Sequence, residues 1–234
     1  RWQLVTMSGN AAITATASGN KAAMERKKKK SETESAPKTR EPRQKRSIDK
    51  KHRIMEAAMT LFARKGIHQT NSKEIAAEAG VATGSFYSYF PDKHKLLNDV
   101  LEIYLNDHFE RIWNHPPPWE SPTPRQLIPF FLENLLAAYD VAPGFHRETH
   151  VLRYSDPEVK ALYDRETERE LKQIAAALET FKDQMRVDDV EAAAIVIHSA
   201  AENLAHKIKF MGTLDEQRLI GEFSEMVFRY LAVE

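Results

Sequence analysis

Apolar residues recur with helical spacing from Ser47 onward. The first apolar stripe follows the spacing i, i+3, i+4, i+7 and i+8 and consists of Ile54, Ala57, Ala58, Leu61 and Phe62. This spacing predicts an amphipathic helix with one buried face. Gly66 follows the stripe at the C′ position that favours glycine, so we expect the helix to end there.

Two short helices are predicted next. Asn71 precedes the run SKEIAAEAG and has Glu74 three residues later, an arrangement typical of a capping box. Gly80 ends this helix, and Thr83 is the candidate cap of the following run, which Pro91 terminates. Two short helices joined by the turn AGVA predict a helix-turn-helix unit.

The second short helix, GSFYSYF, has two different faces. Phe86 and Phe90 are four residues apart and are predicted to face the core, whereas Tyr87 and Tyr89 flank them with hydroxyls free to donate to phosphate oxygens. The remaining face carries small residues that would let the backbone approach base edges, namely Thr83, Gly84, Ser85 and Ser88. Phenylalanines at this spacing form part of the core in many proteins, so they do not indicate DNA binding by themselves. The DNA-binding interpretation depends on their occurrence in a short helix directly after a capped helix and a glycine turn.

The rest of the chain also shows helical periodicity. The helical segments are 94–115, 124–144, 145–154, 156–181, 188–211 and 214–234, and the proline-rich loop PPPWESPTP separates the first two. No alternating strand pattern appears. The sequence therefore predicts an all-α fold with a small helix-turn-helix DNA-binding domain, residues 46–95, and a larger helical effector-binding and dimerisation domain, residues 96–234.

Charge is distributed unevenly although the net charge is zero. Residues 1–95 hold 20 Lys and Arg against 9 Asp and Glu, a net charge of +11, and residues 96–234 hold 14 against 25, a net charge of −11. A polyanion such as nucleic acid would therefore approach the N-terminal part.

Composition excludes several classes of protein. There is no cysteine, which removes disulfides, thiolate metal sites and cysteine nucleophiles. No apolar run approaches the ~18 residues of a membrane span, so we expect a soluble cytoplasmic protein without a membrane partner. Residues 1–45, which include the run KKKK, offer little to bury and are predicted to form a disordered basic tail, with Met7 or Met24 as candidate natural starts.

The stretch FARKGIHQTNSKEIAAEAGVATGSFYSYFPDKHKLL resembles the DNA-binding domain of the TetR family of transcriptional regulators. The resemblance rests on the patterns FxxxGxxxT, IAxxAGV and GxxYxYFxxKxxL and covers residues 47–97. Two positions depart from the family pattern: Ala82 replaces a frequent serine, so the helix cap would come from Thr83, and Ser72 replaces a frequent apolar residue.

The resemblance implies a role for each matching position. Residues that would touch phosphate are Ser72, Lys73, Tyr87, Tyr89 and Lys93. Residues that would face the bases are Thr83, Gly84, Ser85 and Ser88. The expected function is a sequence-specific transcription regulator, a repressor released by a small-molecule effector, bound to a palindromic DNA operator.

The last two helices are candidates for a homodimer interface. Ala192, Ala193 and Ala194 belong to a run of small residues in the penultimate helix, and the last helix supplies Phe223 and Met226. Small residues allow close helix packing, which suits either a core or a self-complementary contact. The resemblance favours the contact, because members of the family dimerise through a four-helix bundle.

The resemblance also implies a pocket for an unidentified small molecule. Candidate lining residues are Trp113, Trp119, Phe130, Phe131, Leu135, Tyr139, Phe145, His150, Tyr154, Tyr163 and His198. An ordinary core position is the alternative for each of them.

Neither an enzyme, a cofactor nor a metal is predicted. His146 and His150 have the i, i+4 spacing of metal ligands, but "HRETH" lacks the HExxH order and no third ligand is evident. The competing interpretation is a helical protein that binds DNA through its basic charge without sequence specificity. A specificity ratio measured at fixed salt separates the two functions.

Overall fold

The computed structural model describes residues 41–232, with side chains from residue 46. The helices of this part are α1 Glu41–Lys65, α2 Ser72–Glu78, α3 Thr83–Tyr89, α4 Lys93–Trp113, α5 Pro124–Tyr139, α6 Pro143–Leu152, α7 Pro157–Thr180, α8 Val190–Phe210 and α9 Glu216–Leu231. The only β pairing within residues 41–232 is an isolated bridge between Met185 and Ala232. The predicted all-α class is confirmed.

Helix α1 begins at Glu41, six residues before the predicted start at Ser47. Residues 43–46 are Arg, Gln, Lys and Arg, which are strong helix formers even though they add nothing to an apolar stripe. The apolar pattern therefore located the buried part of the helix and missed its polar start. The predicted disordered tail, residues 1–45, otherwise lies outside the described residues.

The helices of the helix-turn-helix begin and end as the sequence predicted, except for one cap. Gly66 and Gly80 adopt positive φ angles of 91° and 64°, and Asn71 and Glu74 form the expected capping box at the start of α2. Thr83, in contrast, is the first residue of α3 and does not cap it. The cap position belongs to Ala82, whose methyl side chain has no acceptor, so the side-chain cap predicted from Thr83 was wrong.

Two groups of buried apolar residues hold the helices together. The first group joins α1, α2 and α3 to the first half of α4 and to α6 and α7, and within it the rings of Phe62 and Phe145 stack with centroids 5.9 Å apart. The second group joins the end of α4 to α5, the second half of α7, α8 and α9. Phe86 and Phe90 lie in the first group with exposed fractions of 0% and 1%, which confirms their predicted inward orientation.

Several polar side chains are buried between α4, α6 and α7. They are His108, His146, Thr149, Glu166 and Glu170, each less than 9% exposed. Buried polar groups require partners or a ligand, so this region is the second candidate site after the helix-turn-helix. Within residues 41–232, no helix is long and apolar enough to cross a membrane.

Candidate functional site

The outer face of α3 is open. Tyr87 is 53% exposed, and Gly84 and Ser88 are also exposed, while Thr83 and Ser85 are half-buried. A Cβ atom built on Gly84 would meet nothing within 4 Å, so no other part of residues 41–232 covers the helix here. This face is therefore available to a partner that approaches the backbone closely.

Tyr89 lies at the edge between α3 and α1. Its ring packs against the first apolar group, and its hydroxyl accepts a hydrogen bond of 3.2 Å from the Ser47 hydroxyl. The Tyr89 hydroxyl hydrogen remains able to donate outward. A phosphate contact for Tyr89 stays a prediction, and the tyrosine also ties α3 to α1.

The start of α2 presents Ser72 and Lys73. Ser72 is half-buried and Lys73 is exposed, and the backbone N–H of Lys73 donates to the Asn71 side chain at 3.1 Å. The cap therefore fixes the direction of this first turn. Phosphate contacts of Ser72 and Lys73 stay predictions.

Lys93 makes contacts that the sequence did not indicate. Its ammonium donates to the backbone carbonyls of Ile67 and Thr70, each at 2.9 Å. These carbonyls lie in the turn between α1 and α2, so Lys93 links the start of α4 to that turn. One N–H of the ammonium remains for the predicted phosphate contact.

Helix α6 contacts the same turn from the other side. Glu148 accepts a hydrogen bond of 2.6 Å from the backbone N–H of Ile67. A Cβ atom built on Gly66 would lie 2.5 Å from Oε1 of Glu148, so the absence of a side chain at residue 66 lets the carboxylate approach. Helix α6 and the DNA-binding helices are thus directly connected.

A second link joins α4 to α7. His94 Nε2 lies 2.6 Å from Asp156 Oδ2, and Asp156 also caps α7. The hydrogen bond to Asp156 raises the pKa of His94, which Asp156, Glu158 and Asp92 reinforce by their charges. Burial opposes ionisation of Asp156, but its hydrogen bonds to His94 and to the start of α7 lower its pKa overall.

An apolar cavity of about 140 Å³ lies between α5, α7, α8 and α9. Its walls include four of the predicted effector-pocket residues, Trp113, Phe131, Leu135 and His198. Most of the remaining lining is aliphatic, which suits an apolar molecule or the apolar part of a larger one.

A polar cavity of about 410 Å³ lies beside it, between α4, α6, α7 and α8. His150, Tyr154 and Tyr163, predicted from the sequence, line it together with His198. The sequence analysis missed several polar members of its lining, which are His108, His146, Arg153, Glu166, Glu170, Glu202 and His206. The i, i+4 spacing of Glu166 and Glu170, and of His198, Glu202 and His206, is the signal that could have identified them.

Four histidines cluster in this cavity. The ring centroids of His150 and His206 are 4.1 Å apart, and His146 lies 5.3 Å from His206 and 5.7 Å from His108. Burial lowers the pKa of His150 to about 4 and, with the neighbouring histidines, lowers that of His146 well below its usual value. These two imidazoles are therefore neutral near neutral pH.

The two cavities share a wall made by Glu170, His198 and Glu202. His198 Nε2 lies 2.8 Å from Glu170 Oε2, and the Tyr139 hydroxyl donates to Glu202 Oε2 at 2.7 Å. Burial and the neighbouring Glu170 raise the pKa of Glu202 to about 7. Burial opposes protonation of His198, but its hydrogen bond to Glu170 and the nearby carboxylates raise its pKa overall.

The other predicted pocket residues lie elsewhere. Tyr139 reaches the shared wall only through its hydroxyl. Phe145 stacks on Phe62 in the first apolar group, and Trp119 packs edge-on against Phe130 at 6.0 Å. These three aromatic rings, of Phe145, Trp119 and Phe130, line neither cavity, so they have the core or surface positions that were the stated alternative.

The run HRETH divides its side chains between two directions. The rings of His146 and His150 stack with centroids 5.9 Å apart and face the polar cavity, whereas Glu148 contacts Ile67. The three residues therefore do not converge on one point.

An apolar surface extends over α8 and α9. Ile195, Val196 and Met226 are 53%, 55% and 54% exposed, and Tyr230 is 36% exposed. These side chains belong to the two helices predicted to form the dimer interface.

Two family models of known proteins match the N-terminal and C-terminal parts of the chain. A family model described as "Bacterial regulatory proteins, tetR family" matches residues 54–100, and one described as "Tetracyclin repressor-like, C-terminal domain" matches residues 123–231. The two models together cover the helix-turn-helix and helices α5 to α9, whereas residues 101–122, which include most of α4, lie between them.

Among curated proteins, the HTH-type transcriptional regulator YuxN of Bacillus subtilis is 38% identical over 94 residues, which cover 39% of this chain and 32% of that protein. The HTH-type transcriptional repressor KstR2 of Mycolicibacterium smegmatis is 31% identical over 111 residues, which cover 47% of this chain and 50% of that protein. The chain thus spans about a third of the length of the first relative and half of the length of the second.

Solved structures share the fold. A regulator from Mesorhizobium loti superposes with a TM-score of 0.67 at 20% identity, covering 80% of this chain and 99% of that one. A transcriptional regulator from Saccharomonospora viridis in complex with choline gives a TM-score of 0.66 at 18% identity, covering 79% and 98%. At these identities the likeness concerns the fold alone.

Proposed function

Because the chain belongs to the TetR family of bacterial regulatory proteins, we propose that it binds DNA in a sequence-specific way and regulates transcription. The observation that carries this proposal is the open outer face of α3, where small residues surround an exposed tyrosine within a helix-turn-helix. Access to chromosomal DNA requires a cytoplasmic location, which the proposal includes. No catalytic role is assigned to the chain.

The proposed DNA contacts follow the exposure of the side chains. Small residues on α3 would face the bases, and they are Thr83, Gly84, Ser85 and Ser88. Residues that would contact phosphates are Ser72, Lys73, Tyr87, Tyr89 and Lys93. Phosphate contacts position the protein and base contacts specify the sequence, so substitutions in the two sets have different effects.

The chain is proposed to act as a homodimer through α8 and α9. Exposed apolar side chains on both helices, such as those of Val196 on α8 and Met226 on α9, are typical of a surface that a partner covers. A two-fold axis along this surface would present two copies of α3 to DNA about one helical turn (~34 Å) or more apart. The operator would then be palindromic.

A small-molecule effector is proposed to bind in the two adjoining cavities. The apolar cavity would take an apolar group, and the polar cavity would take a group with hydrogen-bonding capacity. His146 and His150 line the polar cavity from α6, whose Glu148 contacts the turn before α2, so a displacement of α6 would reach the DNA-binding helices. Relatives named as transcriptional repressors support repression as the mode of regulation, and release of the DNA by the effector is part of the proposal.

The test is selection of bound fragments from genomic DNA by the purified protein at a fixed salt concentration. We expect a palindromic consensus that binds at least ~10³-fold more tightly than random DNA. A matched variant, Ser88→Ala, shares the fold and charge of the protein and should shift the consensus at the bases near Ser88. Enrichment without a consensus, or equal affinity for random DNA, would replace this proposal with nonspecific binding.

A further inference from the structure

The wall between the two cavities brings together three side chains that ligate metals. Glu170 lies on α7, and His198 and Glu202 lie on α8. One ligand atom from each, a carboxylate oxygen or an imidazole nitrogen, lies within 4.8 Å of the other two. We propose that Glu170, His198 and Glu202 bind a divalent transition-metal ion between α7 and α8.

Helix geometry explains how these ligands converge. His198 and Glu202 are four residues apart, so they project from the same face of α8, one turn after the other. Glu170 faces them from α7, and its carboxylate lies 2.8 Å from the His198 imidazole. Ligands from two packed helices form a site that the fold itself positions.

The donor atoms select the class of metal. One imidazole nitrogen and two carboxylate oxygens suit Zn²⁺, Fe²⁺, Co²⁺ or Mn²⁺, whereas Mg²⁺ and Ca²⁺ prefer oxygen ligands alone. Three protein ligands leave at least one coordination position. Because all three residues also line the polar cavity, water or a polar group of an effector would complete the coordination there.

The charge of the wall also calls for a cation. Two carboxylates lie close together, and His198 is the partner of Glu170, while no Lys or Arg pairs with Glu170 or Glu202 among the ion pairs of residues 46–232. Arg169 pairs with Glu166, and Arg153, which lines the same polar cavity, lies over the rings of Tyr154 and Tyr163 instead of pairing with a carboxylate in that range. A divalent ion would compensate both carboxylates at once.

A separate observation points to a ligand in the same cavity. Oε1 of Glu166 and Nε2 of His146 have no hydrogen-bond partner, and these residues are only 7% and 3% exposed. Both residues line the polar cavity beside the three proposed ligands. Buried polar atoms without partners cost free energy, so a bound ion with its water molecules would satisfy them.

Tyr139 would position one of the ligands. Its ring is fully buried, and its hydroxyl donates to Oε2 of Glu202 at 2.7 Å. Hydrogen bonds of this kind hold a carboxylate ligand in a fixed orientation and raise metal affinity. Oε1 of Glu202 is the carboxylate oxygen that this hydrogen bond leaves for the ion.

The experiment measures metal binding by the full chain without an affinity tag of histidines and after treatment with a chelator. Titration calorimetry with Zn²⁺ should give one site per chain, and Co²⁺ should give a visible absorption band of the protein-bound ion. Mg²⁺ should bind far more weakly. The absence of Zn²⁺ and Co²⁺ binding, or equal binding of Mg²⁺, would overturn the proposal.

Variants identify the ligands. Glu202→Gln and His198→Gln should each lower the Zn²⁺ affinity about 100-fold or more, since even weaker supporting contacts change affinity 10- to 100-fold. His115→Gln and Glu191→Gln, both exposed and outside the cavities, are matched controls that should bind as the parent does. Thermal unfolding without metal checks that every variant folds.

One further variant distinguishes the proposed site from the histidine cluster. Loss of Zn²⁺ binding in His206→Gln, with binding retained in Glu202→Gln, would place the ion among the histidines and overturn the assignment. The proposal goes beyond the proposed function, because metal binding is measured without DNA. A failure of the metal titration therefore leaves the proposed DNA-binding function standing, and a failure of the DNA selection leaves the proposed metal site standing.

Discussion

Glu148 of α6 accepts a hydrogen bond of 2.6 Å from the backbone N–H of Ile67, a residue 81 positions earlier in the chain. Two turns of α6 thus serve two regions, because His146 and His150 line the polar cavity while Glu148 contacts the turn before α2. Any ligand that moves α6 would change this contact.

Replacement of Glu148 by Ala should lower the free energy of unfolding by about 1.5–3 kcal/mol, because a hydrogen bond to a charged group is lost and the Ile67 N–H is left without its partner. Denaturant unfolding measures the change. Glu102→Ala removes an exposed carboxylate that pairs with Arg165 at 3.2 Å, and it should change stability by less than about 1 kcal/mol. Equal changes in the free energy of unfolding would mean that the Glu148–Ile67 hydrogen bond stabilises the protein no more than an exposed ion pair does.

Tyr87→Phe should weaken binding to all DNA sequences about equally, because it removes a hydroxyl proposed to contact phosphate. Affinities measured for a randomised operator set show directly whether the loss is the same for every sequence. Tyr154→Phe removes a tyrosine hydroxyl just after α6, at a residue that is 78% exposed compared with 53% for Tyr87, and should leave DNA binding unchanged. A change of preferred bases in Tyr87→Phe would contradict the assignment.

Ser85→Ala should change the preferred bases instead of lowering all affinities. Ser85 lies in the first turn of α3, where the proposed base contacts are made, and the serine hydroxyl donates or accepts hydrogen bonds at base edges. The same randomised operator set is the measurement. A uniform loss of affinity would assign Ser85 to the phosphate contacts.

Phe86→Ala should lower the free energy of unfolding by about 3–5 kcal/mol, the usual effect of removing a fully buried aromatic ring. DNA binding would then fail through loss of the helix-turn-helix structure. Gly84→Ala alters the same helix at a position with open space and should preserve the fold. Circular dichroism during heating separates the two variants, and a stable Phe86→Ala protein would contradict the predicted core role.

The His94–Asp156 link should make stability depend on pH. The pKa of His94 is raised in the folded protein, so its contribution is fully present below the unfolded-state value of about 6.5 and is lost as pH rises through the folded-state value. Denaturant unfolding between pH 5 and pH 9 should show this loss in the parent. This loss of stability should be absent in His94→Gln. If the parent and the variant showed the same dependence of stability on pH, the His94–Asp156 link would not contribute to stability.

Val196→Glu should convert the proposed dimer into monomers, because it places like charges on a surface that two copies would bury. Sedimentation analysis gives the oligomeric state. Val151→Glu introduces the same charge at a 65% exposed position on α6 and should leave the dimer intact. If both variants remained dimers, the dimer interface would not include the surface around Val196 on α8.

The features that the sequence predicted best depend on neighbouring residues. The faces of α3 follow from the four-residue spacing of Phe86 and Phe90, and the capping box of α2 follows from Asn71 and Glu74. Both belong to single helices, where periodicity and capping rules apply directly.

The features that escaped prediction depend on contacts between distant segments. Lys93 binds carbonyls that belong to a preceding turn, and Glu170 meets His198 only because α7 packs against α8. Spacing along one helix shows that His198 and Glu202 share a face, but it does not show what stands opposite. The sequence analysis weighed only His146 and His150 as metal ligands and predicted no metal, so it did not consider the wall between the cavities.

Gly66 shows how two independent demands can meet at one residue. Its backbone angle of 91° excludes ordinary side chains, and the Glu148 carboxylate occupies the space where a side chain would begin. Relieving either demand alone would not admit alanine, because the positive φ would remain if the carboxylate were removed and the carboxylate would still meet the methyl group if φ changed. Homologues that keep the acidic residue on α6 should therefore keep the glycine as well, whereas loss of the acidic residue alone should not release the glycine.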